Sequence, residues 1–190
     1  KESGDKIINQ LKKLGCSCDW SRNRFTMDKD LSSAVIKTFV KLYKEKLIYK
    51  DTKLVNWDTK LETAISDLEV EQRDVQSNLY YIKYRIKDEN DFITIATTRP
   101  ETLIGDTAVA VNPLDSKYKK FVGKKVIVPI VEREVKIISD SYVLIDQGSG
   151  ALKVTPAHDF NDFEIGKRHN LELLNILNDD GSLNENCPKE

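Results

Sequence analysis

The sequence predicts an α+β fold in which a helical segment precedes a β-rich, barrel-like domain with flanking helices. The first 48 residues contain apolar residues at helical spacing, whereas from residue 79 the apolar residues recur every second position. The β-like runs also follow one another closely along the chain. Such short, closely spaced strands favour a barrel or a sandwich over a parallel sheet with crossover helices.

The helical segment contains one strong and one weak helical pattern. Residues 31–48, LSSAVIKTFVKLYKEKLI, predict an amphipathic helix, and the acidic Asp28 and Asp30 are its N-cap candidates. A weaker helical period covers Ile7 to Leu14, and Gly15 is a candidate C-cap for it. We assign residues 1–69 to this helical segment, which precedes the β-rich domain.

The β-rich domain is assigned residues 70–190. Its predicted strands are YYIKYRI, FITIATT, TAVAV, KVIVPIV, EVKIIS, YVLID and ALKVT. The boundary with the helical segment is expected between Asp51 and Asn78. The residues after Leu174 predict turns and a polar linker.

Composition limits the classes of function. The 30 basic residues and 31 acidic residues leave a net charge of −1, so any nucleic-acid contact must come from a local patch, and a non-specific DNA binder is not expected. Three cysteines do not make a disulfide framework, which favours a reducing, cytoplasmic setting. No apolar run approaches the roughly 20 residues that span a bilayer. Because the chain begins without Met, we expect it to be a piece of a longer protein.

The stretch TTRPETLIGDT follows the predicted strand FITIA. Thr98 and Glu101 have capping-box spacing, Pro100 suits a first helical turn, and Gly105 is a candidate helix stop. A capped short helix explains each of these residues. It does not explain Arg99, whose long cationic side chain no cap requires.

The stretch ALKVTPAHDFNDF repeats the order of strand, proline and helix. The two-residue period of a strand places Lys153 and Thr155 on one face. Pro156 is predicted to open a helix in which Asp159 and Asp162 share a side. Acids in a first helical turn also complement the helix dipole, but two acids beside a lysine at a strand end favour a pocket.

His158 and Asp159 raise the alternative of a metal-dependent phosphohydrolase of the HD type. Such a site needs further histidines, and the other histidine, His169, lies eleven positions on, about three helical turns away. We therefore predict no metal site and a structural role for His158. A tRNA-docking module without catalysis is a further alternative.

Five stretches together resemble the editing domain, or connective peptide 1, of the valyl-tRNA synthetases within the class I aminoacyl-tRNA synthetase family. They are CDWSRNRFTMD, LVNWD, AISDLEV, ATTRPETLIGDTAVAV and KVTPAHDFNDFEIGKRHNL. Leucyl-type editing domains are similar in the TTRP and PAHD segments but usually carry Asp where Glu101 stands. They are the alternative within the same class, and CDWSR and DTAVAV favour the valyl type.

The resemblance implies an ester hydrolase that removes threonine from mischarged tRNA(Val), with water oriented by a ribose hydroxyl. It implies no cofactor for editing, since ATP and Mg belong to a synthetic site whose HIGH and KMSKS signatures are absent from this sequence. The implied partners are the acceptor end of tRNA(Val) carrying threonine and the remainder of the synthetase. Neither a membrane nor DNA is expected as a partner, and the implied location is the cytoplasm.

The resemblance also implies roles for individual residues. Asp162 matches the acid that holds the α-ammonium, and Asp159 the acid that reads the threonine hydroxyl. Lys153 and Thr155 complete the catalytic set near the scissile ester. The substrate-binding set consists of Asp159 and Asp162 together with Arg99, Thr102, Thr98 and Glu101.

The sequence departs from many relatives at residues 57–63, WDTKLET, where the Cys-x-x-Cys zinc knuckle is missing. We therefore predict no zinc. Phe160 also stands at a position that is often proline in the family.

Overall fold

The computed structural model describes residues 2–188, and the chain divides into two compact units, Lys1–Thr52 and Lys53–Glu190. This division lies inside the predicted boundary region, Asp51 to Asn78, and earlier than the assigned boundary between residues 69 and 70. Residues 53–69 therefore group with the second unit by their contacts. They also contain a β-hairpin, where the sequence predicted a helical segment.

The first unit contains two helices, α1 (Glu2–Lys13) and α2 (Lys29–Lys44). Gly15 has a φ of +77°, and the N–H groups of Gly15 and Cys16 donate to the carbonyls of Lys12 and Leu11. These two bonds form a Schellman motif, which confirms the predicted C-cap. Asp28, one of the two predicted candidates, is the N-cap residue of α2.

The second unit begins with a hairpin of two short antiparallel strands, β1 (Asn56–Asp58) and β2 (Thr63–Ile65). Asp58 Oδ1 accepts hydrogen bonds from the backbone N–H groups of Lys60 and Leu61, which fixes the turn. The indole N–H of Trp57 donates to the carbonyl of Asp179 at 2.8 Å. Hydrogen bonds thus hold residues 57–63, the segment without the Cys-x-x-Cys pattern.

The other strands form one six-stranded sheet in the order β4-β3-β6-β7-β5-β8. Their bounds are β3 (Tyr80–Ile86), β4 (Phe92–Thr97), β5 (Ala108–Val111), β6 (Lys125–Ile127), β7 (Glu134–Ser139) and β8 (Ala151–Val154). All pairs are antiparallel except β5 with β7. Because β4 and β8 at the two ends lie side by side, the sheet nearly closes into a barrel, which confirms the predicted fold class.

Strand β5 is buried on both faces, so its sequence AVAV shows no alternation of apolar and polar residues. Val109 and Val111 point into the barrel and pack in the core with Tyr84 of β3. Ala108 and Ala110 pack on the opposite face, in the cluster that contains Val154 and Ile165. The small alanine side chains let the last helix lie close to the sheet.

Two sequence predictions in this unit are wrong. YVLID forms turns instead of a strand, because bonds to side chains outside it hold its backbone. The Tyr142 N–H donates to Asp140 at 2.9 Å, and Asn112, 31 positions before Val143, donates to the Val143 carbonyl at 2.6 Å. The tail is also no free linker. Ile176 is only 1% exposed, and Leu177 pairs with Leu183 in an antiparallel bridge.

The last helix, α3 (Phe160–His169), begins later than predicted. Asp159 is its N-cap, and Pro156 lies in the turn before it, so the prediction that Pro156 opens the helix is wrong. Asn170 ends the helix in the left-handed region with a φ of 51°. Among residues 2–188, none of the helices combines the length and the apolar character needed to cross a membrane.

Gly166 sets the distance between α3 and the Pro156 turn. A Cβ at this position would lie 2.8 Å and 2.9 Å from two carbons of Pro156. We expect Gly166→Ala to lower the free energy of unfolding by about 1–3 kcal/mol through overpacking, although Ala is the better helix former. Urea unfolding measures this change.

The matched control is Gly4→Ala in α1, where the added methyl would meet no atom within 4 Å. We expect it to stabilise its helix by up to about 1 kcal/mol. A stabilising Gly166→Ala would show that α3 does not rest on Pro156.

Candidate functional site

The two sequence motifs meet because β4 and β8 are neighbours. Strand β4 leads into the 3₁₀ helix Pro100–Gly105, and β8 leads through the Pro156 turn into α3. Since both strands end at the same rim of the barrel, residues about 50 positions apart in sequence face one another. Lys153 from the second motif and Thr102 from the first are in direct contact, with Nζ to Oγ1 at 2.6 Å.

A pocket of about 370 Å³ lies at this rim. Six of the predicted site residues line it, namely Thr98, Arg99, Thr102, Lys153, Asp159 and Asp162. Thr155 is 1% exposed and does not line the pocket, but its hydroxyl accepts a hydrogen bond from Lys153. Glu101 is exposed and pairs with Arg99. The sequence reasoning missed a further wall, made by the loop that contains Tyr142, Leu144 and Gln147.

Gly148 allows this loop to lie against β4. Its φ is +61°, and a Cβ there would be 2.9 Å from the Cβ of Ala96. Both facts require glycine at this position. Residues 142–146 of this loop are predicted as a strand from their sequence, and a strand prediction does not place them over the pocket.

Lys153 is the buried cation of the site, only 5% exposed. Its ammonium donates to Thr102 Oγ1 at 2.6 Å and to Thr155 Oγ1 at 2.7 Å. The Thr102 hydroxyl in turn donates to the Arg99 carbonyl at 3.1 Å. The predicted placement of Lys153 and Thr155 on one face of the strand is confirmed by these contacts.

Asp106 is a polar residue that the sequence reasoning missed. It is fully buried and accepts hydrogen bonds from the hydroxyls of Thr155 at 2.7 Å and Tyr84 at 2.5 Å. Lys153 Nζ lies 3.5 Å from Asp106 Oδ1. Burial raises the pKa of Asp106, and the charge of Lys153 opposes that rise. The available signal was an acid directly after the Pro100–Gly105 segment and just before the apolar run AVAV.

Asp162 is the buried acid that faces the pocket. Its Oδ2 accepts the backbone N–H of Thr155 at 2.8 Å. Burial raises the pKa of Asp162 to about 6, with further increases from the charges of Asp159 and Asp106. The Thr155 N–H bond and the Lys153 charge act in the opposite direction. Asp162 thus changes charge close to neutral pH.

Asp159 has a structural task besides any part in binding. Its Oδ1 accepts the backbone N–H groups of Asn161 at 2.8 Å and Asp162 at 3.1 Å, which caps α3. Two backbone N–H groups at the start of α3 are therefore occupied by the cap and are not free donors toward the pocket.

Arg99 connects the two motifs. Its Nη1 donates to the His158 carbonyl at 2.9 Å, and its Nε lies 3.2 Å from Glu101 Oε1. Arg99 is also the N-cap residue of the 3₁₀ helix, with no side-chain cap bond. The predicted capping box between Thr98 and Glu101 is therefore wrong, and Glu101 instead pairs with Arg99.

The two histidines lie in different networks. His158 Nε2 accepts the backbone N–H of Ile176 at 3.0 Å, and burial together with Arg99 and Lys153 lowers its pKa. A neutral imidazole that anchors the tail agrees with the expected structural role. His169 Nε2 lies 2.9 Å from Asp140. Among residues 2–188, no three His, Cys, Asp or Glu side chains are grouped as metal ligands.

Comparison with known proteins places the chain in a family. The model for class I tRNA synthetases (I, L, M and V) matches residues 1–165. The chain belongs to this family. Within it, valine–tRNA ligases are among the most similar relatives. The ligase of Pelagibacter ubique (strain HTCC1062) is 65% identical over 190 residues, which cover 100% of this chain and 22% of the relative.

A second valine–tRNA ligase, from Bradyrhizobium diazoefficiens, is 60% identical over 189 residues, covering 96% of this chain and 20% of the relative. The chain therefore spans about a fifth of the length of these relatives. Among solved structures, the agnB2 LeuRS of Agrobacterium radiobacter K84, in a ternary complex with tRNA and LeuAMS, matches with a TM-score of 0.45 and 18% identity. That match covers 90% of this chain and 31% of that one.

The raised pKa of the buried Asp162 predicts that the free energy of unfolding changes with pH. Its pKa of about 6 in the folded chain exceeds the ordinary value, so protonation favours the folded state. The stabilisation is fully present below the unfolded pKa and is lost as the pH rises through about 6. Asp162→Asn removes this titration and keeps an oxygen that can accept the Thr155 N–H.

We expect Asp162→Asn to gain stability relative to wild type between pH 4 and pH 8. The gain is on the order of 3 kcal/mol, since each pKa unit corresponds to about 1.4 kcal/mol. Urea unfolding of both chains at several pH values measures it. A stability difference that does not change with pH would contradict the prediction.

Proposed function

We propose that this chain carries the editing site of a valyl-tRNA synthetase and hydrolyses the ester that joins threonine to tRNA(Val). The observation that carries the proposal is the pocket in which Asp162, Asp159 and Lys153 meet at the rim of the barrel. The resemblance to valine–tRNA ligases at 65% and 60% identity supports the valyl type. The proposed partners are the acceptor end of tRNA(Val) and the remainder of the synthetase.

The need for a second site follows from the similarity of valine and threonine. The two side chains are nearly isosteric, and a hydrophobic synthetic pocket rejects the added hydroxyl by only about 10²-fold, as is known for this class of enzyme. A site that demands the hydroxyl can discriminate in the other direction. Valine in such a site would leave a buried polar group unpaired, at a cost of about 1–3 kcal/mol.

The pocket offers a suitable group for each polar part of threonine. The Asp162 carboxylate, 6% exposed, would bind the α-ammonium, because a buried anion gains most from a cationic ligand. Asp159 would accept the threonine hydroxyl. Its Oδ1 carries both cap bonds, so the second carboxylate oxygen would take this task.

The reaction would be attack of water on the carbonyl carbon of the ester. Negative charge then develops on the carbonyl oxygen, and the ammonium of Lys153 is a donor fixed in the lining by Thr102 and Thr155. Arg99 is a second cation in the lining. We assign no side chain as the sole general base, and we propose that the site needs no metal or other cofactor.

The central test is hydrolysis of Thr-tRNA(Val) by the chain. We expect Asp162→Ala to lower kcat/KM at least about 10-fold, because one charged hydrogen bond contributes about 1.5–3 kcal/mol. Asp159→Asn should also lower it, and it is the sharper variant at this position because Asn caps a helix as well as Asp does. Wild-type rates in both variants would refute the site assignment.

Two comparisons accompany this test. Val-tRNA(Val) measures the demand for the hydroxyl and should be hydrolysed much more slowly. Mischarged leucyl tRNA separates the valyl assignment from a leucyl one, since a leucyl-type site would prefer that substrate. Because the chain has a net charge of −1, we expect weak, salt-sensitive binding of tRNA.

Hydrolysis and tRNA binding, measured with and without a chelator, separate the proposed function from a metal-dependent phosphohydrolase and from a docking module without catalysis. We expect hydrolysis of Thr-tRNA(Val) to continue unchanged in excess EDTA, as measured by release of labelled threonine. Loss of activity that returns on adding a divalent metal would favour a metal-dependent phosphohydrolase. Tight binding of tRNA with no turnover would favour a docking module.

A further inference from the structure

We propose that Asp106 is a positioning residue of the pocket, which holds the Lys153 ammonium in place through the Thr155 hydroxyl. Asp106 is 0% exposed and is not among the residues that line the pocket. Its effect on a substrate must therefore pass through another side chain. The kinetic consequence rests on the proposed editing function, whereas the structural consequence does not.

The directions of the hydrogen bonds identify what Asp106 does. Lys153 can only donate, so Thr155 Oγ1 accepts from it at 2.7 Å. The Thr155 hydroxyl proton is then free to donate to Asp106 Oδ1, at 2.7 Å. Asp106 is the acceptor at the far end that keeps the Thr155 lone pairs turned toward the ammonium. Its two carboxylate oxygens serve two hydroxyl donors, Thr155 at Oδ1 and Tyr84 at Oδ2.

The same logic applies on the other side of Lys153. Thr102 Oγ1 accepts from the ammonium at 2.6 Å and donates to the Arg99 carbonyl at 3.1 Å. Both hydroxyl protons next to Lys153 are therefore committed to other acceptors. The ammonium is left as the group that donates into the pocket, and Asp106 with the Arg99 carbonyl fixes that arrangement.

Asp106 is itself held rigidly. Its Oδ2 accepts the hydroxyl of Tyr84, a fully buried residue of the barrel core, at 2.5 Å. Arg133 Nη2 donates to the carbonyls of Ile104 at 2.6 Å and Asp106 at 2.7 Å, so the backbone is fixed as well. The packed core thus fixes Asp106, and Asp106 fixes the Lys153 ammonium through the Thr155 hydroxyl.

Burial of this pair is costly, which argues for a functional reason. Two charges removed from water lose several kcal/mol of hydration each, and apolar residues of equal volume often stabilise a protein more. Asp106 lies 3.5 Å from Lys153 and accepts a hydrogen bond from Tyr84, a residue of the apolar core. An enzyme gains from this cost when the fixed charge meets developing charge in the transition state.

The test uses Asp106→Asn, which has the same shape and keeps hydrogen-bonding groups but lacks the charge. The direct readout is the side-chain ammonium signal of Lys153 in a ¹H–¹⁵N spectrum, assigned by its absence in Lys153→Met. Ammonium protons fixed by acceptors exchange slowly enough to be seen. We expect the signal in wild type and its loss in Asp106→Asn.

The second readout is hydrolysis of Thr-tRNA(Val). We expect kcat to fall about 10²-fold in Asp106→Asn, since a small displacement of a catalytic group has an effect of this size. KM should stay within about threefold, because Asp106 does not line the pocket. A change confined to KM would contradict a positioning role.

Two further variants keep the test decisive. Thr155→Val removes the hydroxyl between Lys153 and Asp106 and should also abolish the ammonium signal, even if Asp106→Asn fails to fold. Asp115→Asn replaces another buried carboxylate, which accepts the Lys117 N–H at 2.8 Å, and should change neither readout. A Lys153 signal that persists when Asp106 or Thr155 is replaced would overturn the proposal.

The outcomes for the two proposals are distinct. If the wild-type chain shows the Lys153 signal but hydrolyses no Thr-tRNA(Val), the proposed function fails and the positioning role is judged on the spectra alone. If the signal is lost in Asp106→Asn while kcat is unchanged, Asp106 does hold the Lys153 ammonium, but the kinetic consequence of the proposal is refuted and the editing function stands.

Discussion

The placement of β4 beside β8 is the constraint on which the site depends. A six-stranded sheet left open would expose two edges, and closure removes them. Because closure brings the first and last ends of the strand order together, the segments that follow these strands meet at one rim. Lys153 reaches Thr102 across this seam, and Arg99 reaches the His158 carbonyl. The barrel therefore creates the pocket by the same geometry that protects its edges.

The polar network at the seam is continuous with the apolar core. Tyr84 belongs to the core by its ring and to the network by its hydroxyl, which donates to Asp106. The charged groups of Asp106, Lys153 and Asp162 are each at most 6% exposed. Such groups are stable inside a protein only when their hydrogen-bonding capacity is met. The network thus sets a strict requirement on the barrel end, and small displacements of a strand would leave several groups unpaired.

Local patterns in the sequence predicted what local interactions determine. The alternation in YYIKYRI predicts a strand, which the structure contains with Tyr84 and Ile86 buried. The two-residue period of ALKVT predicts Lys153 and Thr155 on one face. The errors have a different origin. YVLID has strand propensity, but Asp140 and Asn112 hold it in turns through bonds to its backbone. Propensity cannot report such partners.

The same limit explains the missing members of the site. Asp106 acquires its role from Tyr84, 22 residues before it, and Thr155, 49 residues after it. The pattern of residues around Asp106 carries no information about partners that lie 22 and 49 residues away in the sequence. The start of α3 was misplaced for a local reason, since both Pro156 and Asp159 are acceptable at a helix start and the sequence alone did not decide between a first-turn proline and an acidic cap.

The raised pKa of Asp162, about 6, connects stability to selectivity. Near neutral pH the folded chain holds a carboxylate whose charge is poorly solvated, which lowers its stability. A ligand with a positive charge next to Asp162 removes that penalty, whereas a neutral ligand of the same shape does not. On the proposed function, the α-ammonium of an aminoacyl ester is such a ligand, and an N-acylated ester is not. The pocket would then recognise the free amino group by an electrostatic cost already present in the empty site, and the threonine hydroxyl by a hydrogen bond made afterwards.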